Sequence, residues 1–365
     1  MPGTVQNTIR DYQIKTELKN AGSHVYNSSW LQKRDKQFGE EVRAYWKQHL
    51  GIEVNPAWHY IYANATGNQD VQYVSIHEWF SHIHDSLNEP LFVYPTFGDK
   101  NFLDLILDKA HFPETVFKRI NGNYYDENNL PISEMDAVDR LSQSHQDMIA
   151  KPSMSSHGDR IQLVQNRDGS LFVNNSPGDY FGLSRLLGQN FIVQNKVEQH
   201  PDLAEAHPDS LNTIRLYTVR LNGQIHPLLA VIRIGAEGKI ADNHMGGVIC
   251  SIKEDGAVSS VAYNRRLQPF YTHPTTGIDF KSIKKIPAFG EIKSLCKSLH
   301  EQVPHLDFAA WDVAVDKFEK PVIIEINSKP DVGAFQIICR KNLFGSLTEE
   351  ILHGVRDKQK YRQGR

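Results

Sequence analysis

Residues 308–327 carry the strongest chemical signal in the chain. They read Phe308-Ala-Ala-Trp311-Asp312-Val-Ala-Val315 and, after a short polar break, Pro321-Val-Ile-Ile-Glu325-Ile-Asn327. Two apolar runs so close together predict a β-hairpin. Side chains alternate across a strand. Asp312 therefore shares a face with Ala310 and Ala314, while Glu325 and Asn327 emerge together, opposite an expected core face of Val322, Ile324 and Ile326. If Asp312 points the same way, two carboxylates and an amide converge. Hard oxygen donors of this kind suit Mg²⁺, which takes one or two protein carboxylates together with nucleotide phosphates. The blander reading of the same alternation is the wet face of an amphipathic sheet. No nucleophile elbow or other hydrolase motif offers a rival chemistry.

The elements that must hold this hairpin can be read outward from it. Thr213–Leu221 and Gln224–Gly235 flank Asn222-Gly223, a strong short-range hairpin signal. Val248–Lys253 and Ala257–Tyr263 flank a second turn at Glu254-Asp-Gly256. A helix is expected over 289–302, with Ile292, Leu295, Cys296 and Leu299 on one side. This region predicts an antiparallel sheet backed by helix. Upstream, residues 117–200 change to short apolar runs at Met148–Ala150, Ile161–Val164, Leu171–Val173 and Phe191–Val193, the strands of a smaller α+β lobe. Helices are expected at Asp35–Leu50, ended by Gly51, and from Asp99 to Ala110 with Asp99 as cap. The aromatic stretch with Pro56, Trp58, Tyr60 and Tyr62 reads as an irregular segment packed on a core.

Composition narrows the function classes. The 365 residues are 40% hydrophobic and 23% charged, with a net charge of -3. That is ordinary for a globular protein and lacks the basic footprint of a nucleic-acid binder. The locally basic C-terminal tail reads as a solvated end. No run approaches the ~18 apolar residues of a membrane span, and the N-terminus lacks a signal-peptide layout. Cys250, Cys296 and Cys339 are far apart, without metal-ligand spacing. Unpaired thiols fit a reducing compartment, so a cytoplasmic protein is expected.

In these residues the chain resembles the ATP-grasp superfamily, most of all its branch associated with sugar transfer and polysaccharide biosynthesis. In that superfamily an acid on one strand and a Glu-x-Asn on the next hold two Mg²⁺ ions on the ATP phosphates; Asp312, Glu325 and Asn327 occupy those positions. Further pieces follow in the family's order. Gly98-Asp-Lys100 resembles the segment supplying a first phosphate lysine, and Ile149-Ala-Lys151-Pro152 the strand ending in a second. A lysine is a compact point charge suited to polyphosphate. Ser153-Met-Ser155-Ser156-His157-Gly158 stands where the family has a glycine-rich phosphate loop, from which it departs in having one glycine. Phe191-Ile-Val-Gln194-Asn195-Lys-Val197 resembles the interlobe hinge that holds adenine, with Gln194 where an acid is common, and Gln199-His200-Pro201 falls near the ribose. Ser210-Leu-Asn212-Thr213-Ile-Arg215 is a close match, with Arg215 directed at the phosphates. Asn243, within Asp242-Asn-His-Met-Gly-Gly247, lies on the expected acceptor side, and the His273–Gly277 loop touches substrate or simply turns.

The resemblance implies an α+β ATP-grasp fold, two lobes sandwiching ATP. Residues 1–95 are expected as an N-terminal helical and irregular segment, 96–195 as the small lobe with the phosphate loop, and 196–355 as the large lobe with the metal site. It also implies ATP and two Mg²⁺ ions as cofactors, with Lys151 and Arg215 as catalytic groups. The expected reaction is ligation of a carboxylate to an amine through an acyl phosphate. The substrates would be a sugar acid or amino acid, small or part of a glycan, in surface-polysaccharide assembly, with a homo-oligomer left open. The same ATP site would serve a kinase acting on a sugar hydroxyl, and the glycine-poor loop would equally suit a non-catalytic nucleotide-binding scaffold.

Overall fold

The computed structural model describes residues 30, 33–88, 94–154, 160–236, 247–283 and 285–363. Helix α1 (Lys36–His49) starts where expected: the Asp35 carboxylate accepts from the backbone N–H groups of Gln37 and Phe38. Its buried stripe is Phe38, Val42 and Trp46, and Gly51 at φ +83° follows its end. The aromatic stretch is not irregular but helical, α2 (Ala57–Thr66). Every residue from Ala57 to Tyr62 is buried. A helix apolar all round leaves no one-sided stripe in the sequence, so periodicity does not reveal this one. A further helical passage runs Ile76–Glu78, Trp79–Ile83 in π conformation, then His84–Leu87.

The helix expected over 99–110 shrinks to one turn, α3 (Leu103–Ile106). The Asp99 carboxylate accepts from Asn101 N, and Asp108 accepts from Ala110 N. Such local side-chain bonds compete with a continuing helix.

The first sheet contains β1 (Thr115–Ile120), β2 (Asn123–Tyr125), β3 (Pro131–Ile132), β4 (Met148–Pro152), β5 (Gln162–Arg167), β6 (Ser170–Val173), β7 (Ser176–Pro177) and β8 (Phe191–Asn195), in the order β3-β2-β1-β8-β4-β5-β6-β7. Helices α4 (Glu134–Gln143) and α5 (Tyr180–Leu187) supply Ala137, Leu141, Leu183 and Leu187 to its core.

The second sheet contains β9 (Thr213–Leu221), β10 (Gln224–Ile234), β11 (Val248–Ile252), β12 (Val258–Tyr263), β13 (Pro269–Phe270), β14 (Phe308–Val315) and β15 (Pro321–Asn327), in the order β13-β12-β11-β10-β9-β14-β15. Neighbouring strands in both sheets are antiparallel. Asn222 (φ +50°) and Gly223 (φ +76°) take the positive angles a two-residue hairpin turn demands.

This sheet is covered on both faces, which is why β14 is buried at every position. Ile214, Leu216, Ala309, Trp311 and Val313 pack on α6 (Phe289–Glu301) through Ile292, Cys296 and Leu299. The opposite face, with Tyr217, Val219, Phe308 and Ala310, meets α1, α2, Trp79, α7 (Gly333–Cys339) and α8 (Thr348–Gln363). On β15 the fully core-facing residues are Ile323 and Ile326, not Val322, Ile324 and Ile326. The register slips by one residue between the Asp312–Glu325 and Val313–Ile323 pairs. A bulge of this kind offsets strict alternation.

Candidate active site

The second sheet brings the predicted acid strand, Glu-x-Asn strand and arginine strand side by side. Asp312 on β14 lies opposite Glu325 on β15 and Arg215 on β9, and Ala310 lies opposite Asn327. Directly opposed residues share a face, so the four polar side chains meet.

Asp312 is completely buried and anchors the cluster. Arg215 grips it in a fork, Nε to Oδ1 at 2.7 Å and Nη2 to Oδ2 at 2.6 Å, and Arg233 Nη2 donates to Oδ2 at 2.9 Å. Burial by itself would raise the Asp312 carboxyl, but the charges of Arg215 and Arg233 outweigh it and hold the group well below the usual carboxylate range. Burial likewise acts to lower Arg215, and Asp312 more than restores it, so the guanidinium stays charged. Glu325 has no such fork. Its Oε1 is 3.9 Å from Arg215 Nη2 and its Oε2 is 3.5 Å from Lys100 Nζ. Burial and the neighbouring Asp312 charge push it above its ordinary value.

Asn327 Nδ2 is 3.3 Å from Asp312 Oδ2 and 3.4 Å from Glu325 Oε1. One amide thus stands between both carboxylates, and turned over it offers Oδ1 at the same place. Among the described residues no group of three His, Cys, Asp or Glu side chains gathers to hold a metal ion. The donor set here is two carboxylates and an amide, which fits Mg²⁺ if phosphates and water complete its shell. Burial is the larger cause of the raised Glu325 and the Asp312 charge the smaller.

Two lysines reach the cluster from the first-sheet side. Lys151, at the end of β4, is buried; burial first, and the charge of Lys100 second, bring its pKa down to about 8, partly offset by Glu325. Ser153 is buried too, its carbonyl accepting from Lys100 N at 2.9 Å. Ser155, Ser156, His157, Gly158 and Asn243 lie outside the described residues.

Other predicted residues have different surroundings. Gln194 Nε2 donates to Pro113 O, and Asn195 Nδ2 to Glu114 Oε2, tying β8 to the entry of β1; Val197 is half-buried just beyond. Gln199 and Asn212 bind one another and the backbone. Gln199 Nε2 donates to His207 O and Ser210 O, and its Oε1 accepts from Asn212 N and Nδ2. Asn212 is fully buried, donating also to Leu203 O, and among the described residues neither side chain bonds to the charged cluster.

Two site residues lie beyond what simple alternation predicts. Arg233 faces Thr213, to whose hydroxyl it donates at 3.0–3.2 Å. Counted strictly from the Asn222-Gly223 turn, Arg233 would oppose Asn212 and point away from Arg215. A register shift between Pro227 and Ala230 turns it inward. A one-residue slip moves a side chain to the other face, and Pro227 inside a strand is the available signal. Asp331 is the second. It is exposed in surface area, yet the protein packed about its carboxyl pushes it above the usual value, with Arg215 acting the other way.

The turn carrying Asp331 is held from behind. Ser328 O accepts from His84 Nε2 and Asn88 Nδ2, Pro330 O from Trp79 Nε1, and Asp331 O from Tyr217 Oη, all within 3.0 Å. The helical passage over 76–88 thereby fixes the end of the Asn327 strand.

The sugar-transfer-associated ATP-grasp family model matches residues 83–351. The chain belongs to that family and has its α+β ATP-grasp fold. Comparison with curated proteins gives no match. Among solved structures, the chain is similar to the ATP-grasp ligase PsnB complexed with minimal precursor, Mg and ADP (14% identity, 74% of this chain and 62% of that one, TM-score 0.42). It is similar also to D-alanine–D-alanine ligase from Coxiella burnetii (10%, 74% and 60%, TM-score 0.41). A third is N5-carboxyaminoimidazole synthase from Aspergillus clavatus in complex with ADP and 5-aminoimidazole ribonucleotide (11%, 73% and 52%, TM-score 0.38). The chain spans about three-fifths of the length of PsnB and of the Coxiella ligase. The family match carries the assignment. Among the described residues no helix is long and apolar enough to cross a membrane.

Proposed function

We propose that this chain is an ATP-dependent carboxylate–amine ligase whose site is the cluster on β9, β10, β14 and β15 faced by Lys100 and Lys151. One observation carries the reading: four cationic side chains, Lys100, Lys151, Arg215 and Arg233, surround two converging carboxylates and an amide that suit Mg²⁺. Phosphoryl transfer asks a protein for positioning and charge neutralisation more than for covalent chemistry. ATP is read as a substrate, its adenine toward Gln194, Asn195 and Val197 and its phosphates toward the lysines and Ser153–Gly158. Asp312, Glu325 and Asn327 would hold two Mg²⁺ ions, which supply charge neutralisation on the phosphates.

In the first step a substrate carboxylate oxygen bonds to the terminal phosphorus of ATP, the bond to the bridging oxygen breaks, and ADP leaves. In the second an amine bonds to the acyl carbon, inorganic phosphate departs, and the amine gives up a proton. Arg215 and Arg233 are placed to stabilise the charge on the transferring group. Asp312 keeps both guanidiniums fixed in advance, so that no reorganisation is needed during reaction. Asp331 stands nearby as an acceptor for the amine proton. The substrate is read as a sugar acid or amino acid in surface-polysaccharide assembly in the cytoplasm, a reading whose sugar side the family's association with sugar transfer supports.

Incubating the protein with ATP, Mg²⁺, a panel of sugar acids and amino acids, and hydroxylamine as the nucleophile tests this. The expected products are ADP, free phosphate and a hydroxamate, with at least about a hundredfold loss in Arg215→Met. Phosphate retained on an acceptor hydroxyl would instead make the chain a kinase. No ADP with any pair would leave it a nucleotide-binding scaffold.

A further inference from the structure

Lys118, in the middle of β1, is completely buried and serves none of the roles above. Its Nζ donates to Asp104 Oδ1 (2.5 Å) and Oδ2 (2.7 Å), to Asn101 O (3.0 Å) and to Asn129 Oδ1 (2.7 Å). Asp104, on α3, is itself nine-tenths buried. A buried lysine with its three protons shared among four acceptors is held in one place.

The passage that receives these bonds contains Lys100. Its apolar side chains, Phe97, Leu103 and Leu107, belong to the core of the second sheet, beside Ile214, Trp311 and Ile326. Its polar groups belong to the first sheet: Lys118 to Asp104 and Asn101, Asn101 Nδ2 to Arg119 O, and Lys100 N to Ser153 O. From this passage Lys100 Nζ reaches Glu325 Oε2 at 3.5 Å. The passage is therefore a strap between the two sheets, bound to one by apolar contact and to the other by hydrogen bonds centred on one buried charge.

A buried ion pair is a poor stabiliser, because desolvation offsets most of its attraction and apolar residues of similar size often do as well. What apolar contact lacks is direction. Lys118 fixes the strap at two points, the Asp104 carboxylate and the Asn101 carbonyl, the second immediately beside Lys100. We propose that Lys118 is a positioning residue. Through Asp104 and Asn101 it sets where Lys100 stands relative to Glu325 and Ser153, and so sets the affinity for nucleotide phosphates. This rests on the reading that ATP phosphates meet Lys100.

The test compares binding of AMPPNP with Mg²⁺, and of adenosine, in the full chain. Lys118→Met alone leaves Asp104 buried without its partner. The working variants are therefore Lys118→Met combined with Asp104→Leu, which restores an apolar interior, and Asp104→Asn, which keeps the shape. Lys100→Ala is expected to weaken AMPPNP by about tenfold or more, the value of a charge-assisted contact. The Lys118→Met/Asp104→Leu pair should weaken it similarly, Asp104→Asn by less, and adding Lys100→Ala to the pair should cost less than about twofold more, the signature of residues acting as a unit. Adenosine, lacking phosphates, should bind all variants alike. Wild-type affinity for AMPPNP in the paired variant, with Lys100→Ala weakened, overturns the inference, as does an equal loss for adenosine. A wild-type protein that binds no AMPPNP overturns the nucleotide reading, and this inference falls with it.

Discussion

Asp312→Asn is expected to lower the unfolding free energy by about 3–5 kcal/mol, the cost of breaking a buried ion pair from one side, and to abolish ADP formation. The fully buried carboxylate is the counter-charge of both Arg215 and Arg233. An amide accepts through one oxygen only and turns its NH₂ toward a guanidinium, leaving two buried cations without compensation. The pH dependence follows from the direction of the shift. The folded carboxyl sits below its ordinary value of 3.8, so its contribution is fully present above that value and is lost as pH falls below it. Urea unfolding at neutral pH should show the loss, and the variant should show a shallower decline in stability below about pH 4. Equal stability of variant and wild type at pH 7 would mean that the two arginines do not depend on Asp312.

Lys151→Met should separate stability from function. The wild-type lysine sheds its proton near pH 8, whereas an unfolded one keeps it to about 10.5. Between those values the unfolded state binds more protons, so wild-type stability rises with pH across that window and is reduced below it. The reduction is at most about 3.5 kcal/mol, from ~1.4 kcal/mol for each pH unit of displacement. Methionine removes it, so the empty variant should melt higher at pH 7 and lose the alkaline slope. Nucleotide binding should move oppositely. A protonated lysine on polyphosphate makes charge-assisted bonds worth about 1.5–3 kcal/mol, so the variant should bind AMPPNP about 10- to 100-fold more weakly. Wild-type affinity should itself fall as pH rises through about 8. Thermal unfolding across pH, with and without AMPPNP, reads both effects; a variant with the wild-type slope would show that Lys151 is not the group titrating.

What the sequence disclosed, and what it hid, divides along physical lines. Alternation on β14 and β15 was enough to set Asp312 beside Glu325 and Asn327, because a polar side chain inside an apolar strand must find a polar partner or a ligand. The Asn222-Gly223 hairpin and the start of α1 at Asp35 were legible because turn and capping chemistry are local properties. Bulges were not. One turns Arg233 toward Asp312, and another spaces Ile323 and Ile326 three apart on the core face. Each inserts a single residue that periodicity cannot register. Helix α2 was hidden by being buried on all sides, and the 99–110 helix was broken by aspartates bonding their own backbone. Pairings set by tertiary structure, such as Lys118 with Asp104 or Trp79 with Pro330, left no trace in spacing.

The central claim is that nucleotide binds with Mg²⁺ on Asp312, Glu325 and Asn327, and thermal unfolding of wild type and Glu325→Gln tests it most directly. Burial and the Asp312 charge raise the Glu325 carboxyl, so the charge is unfavourable at neutral pH and the glutamine variant should be at least as stable as wild type without ligand. A lost response in that variant will then report ligand binding and not unfolding. A ligand that binds only the native state stabilises it by about 2.7 kcal/mol at a hundred times its Kd. The account predicts a Mg²⁺-dependent rise in melting temperature with AMPPNP in the wild type, absent or much reduced in Glu325→Gln. An equal rise in both proteins, or none in the wild type at millimolar nucleotide, would contradict it.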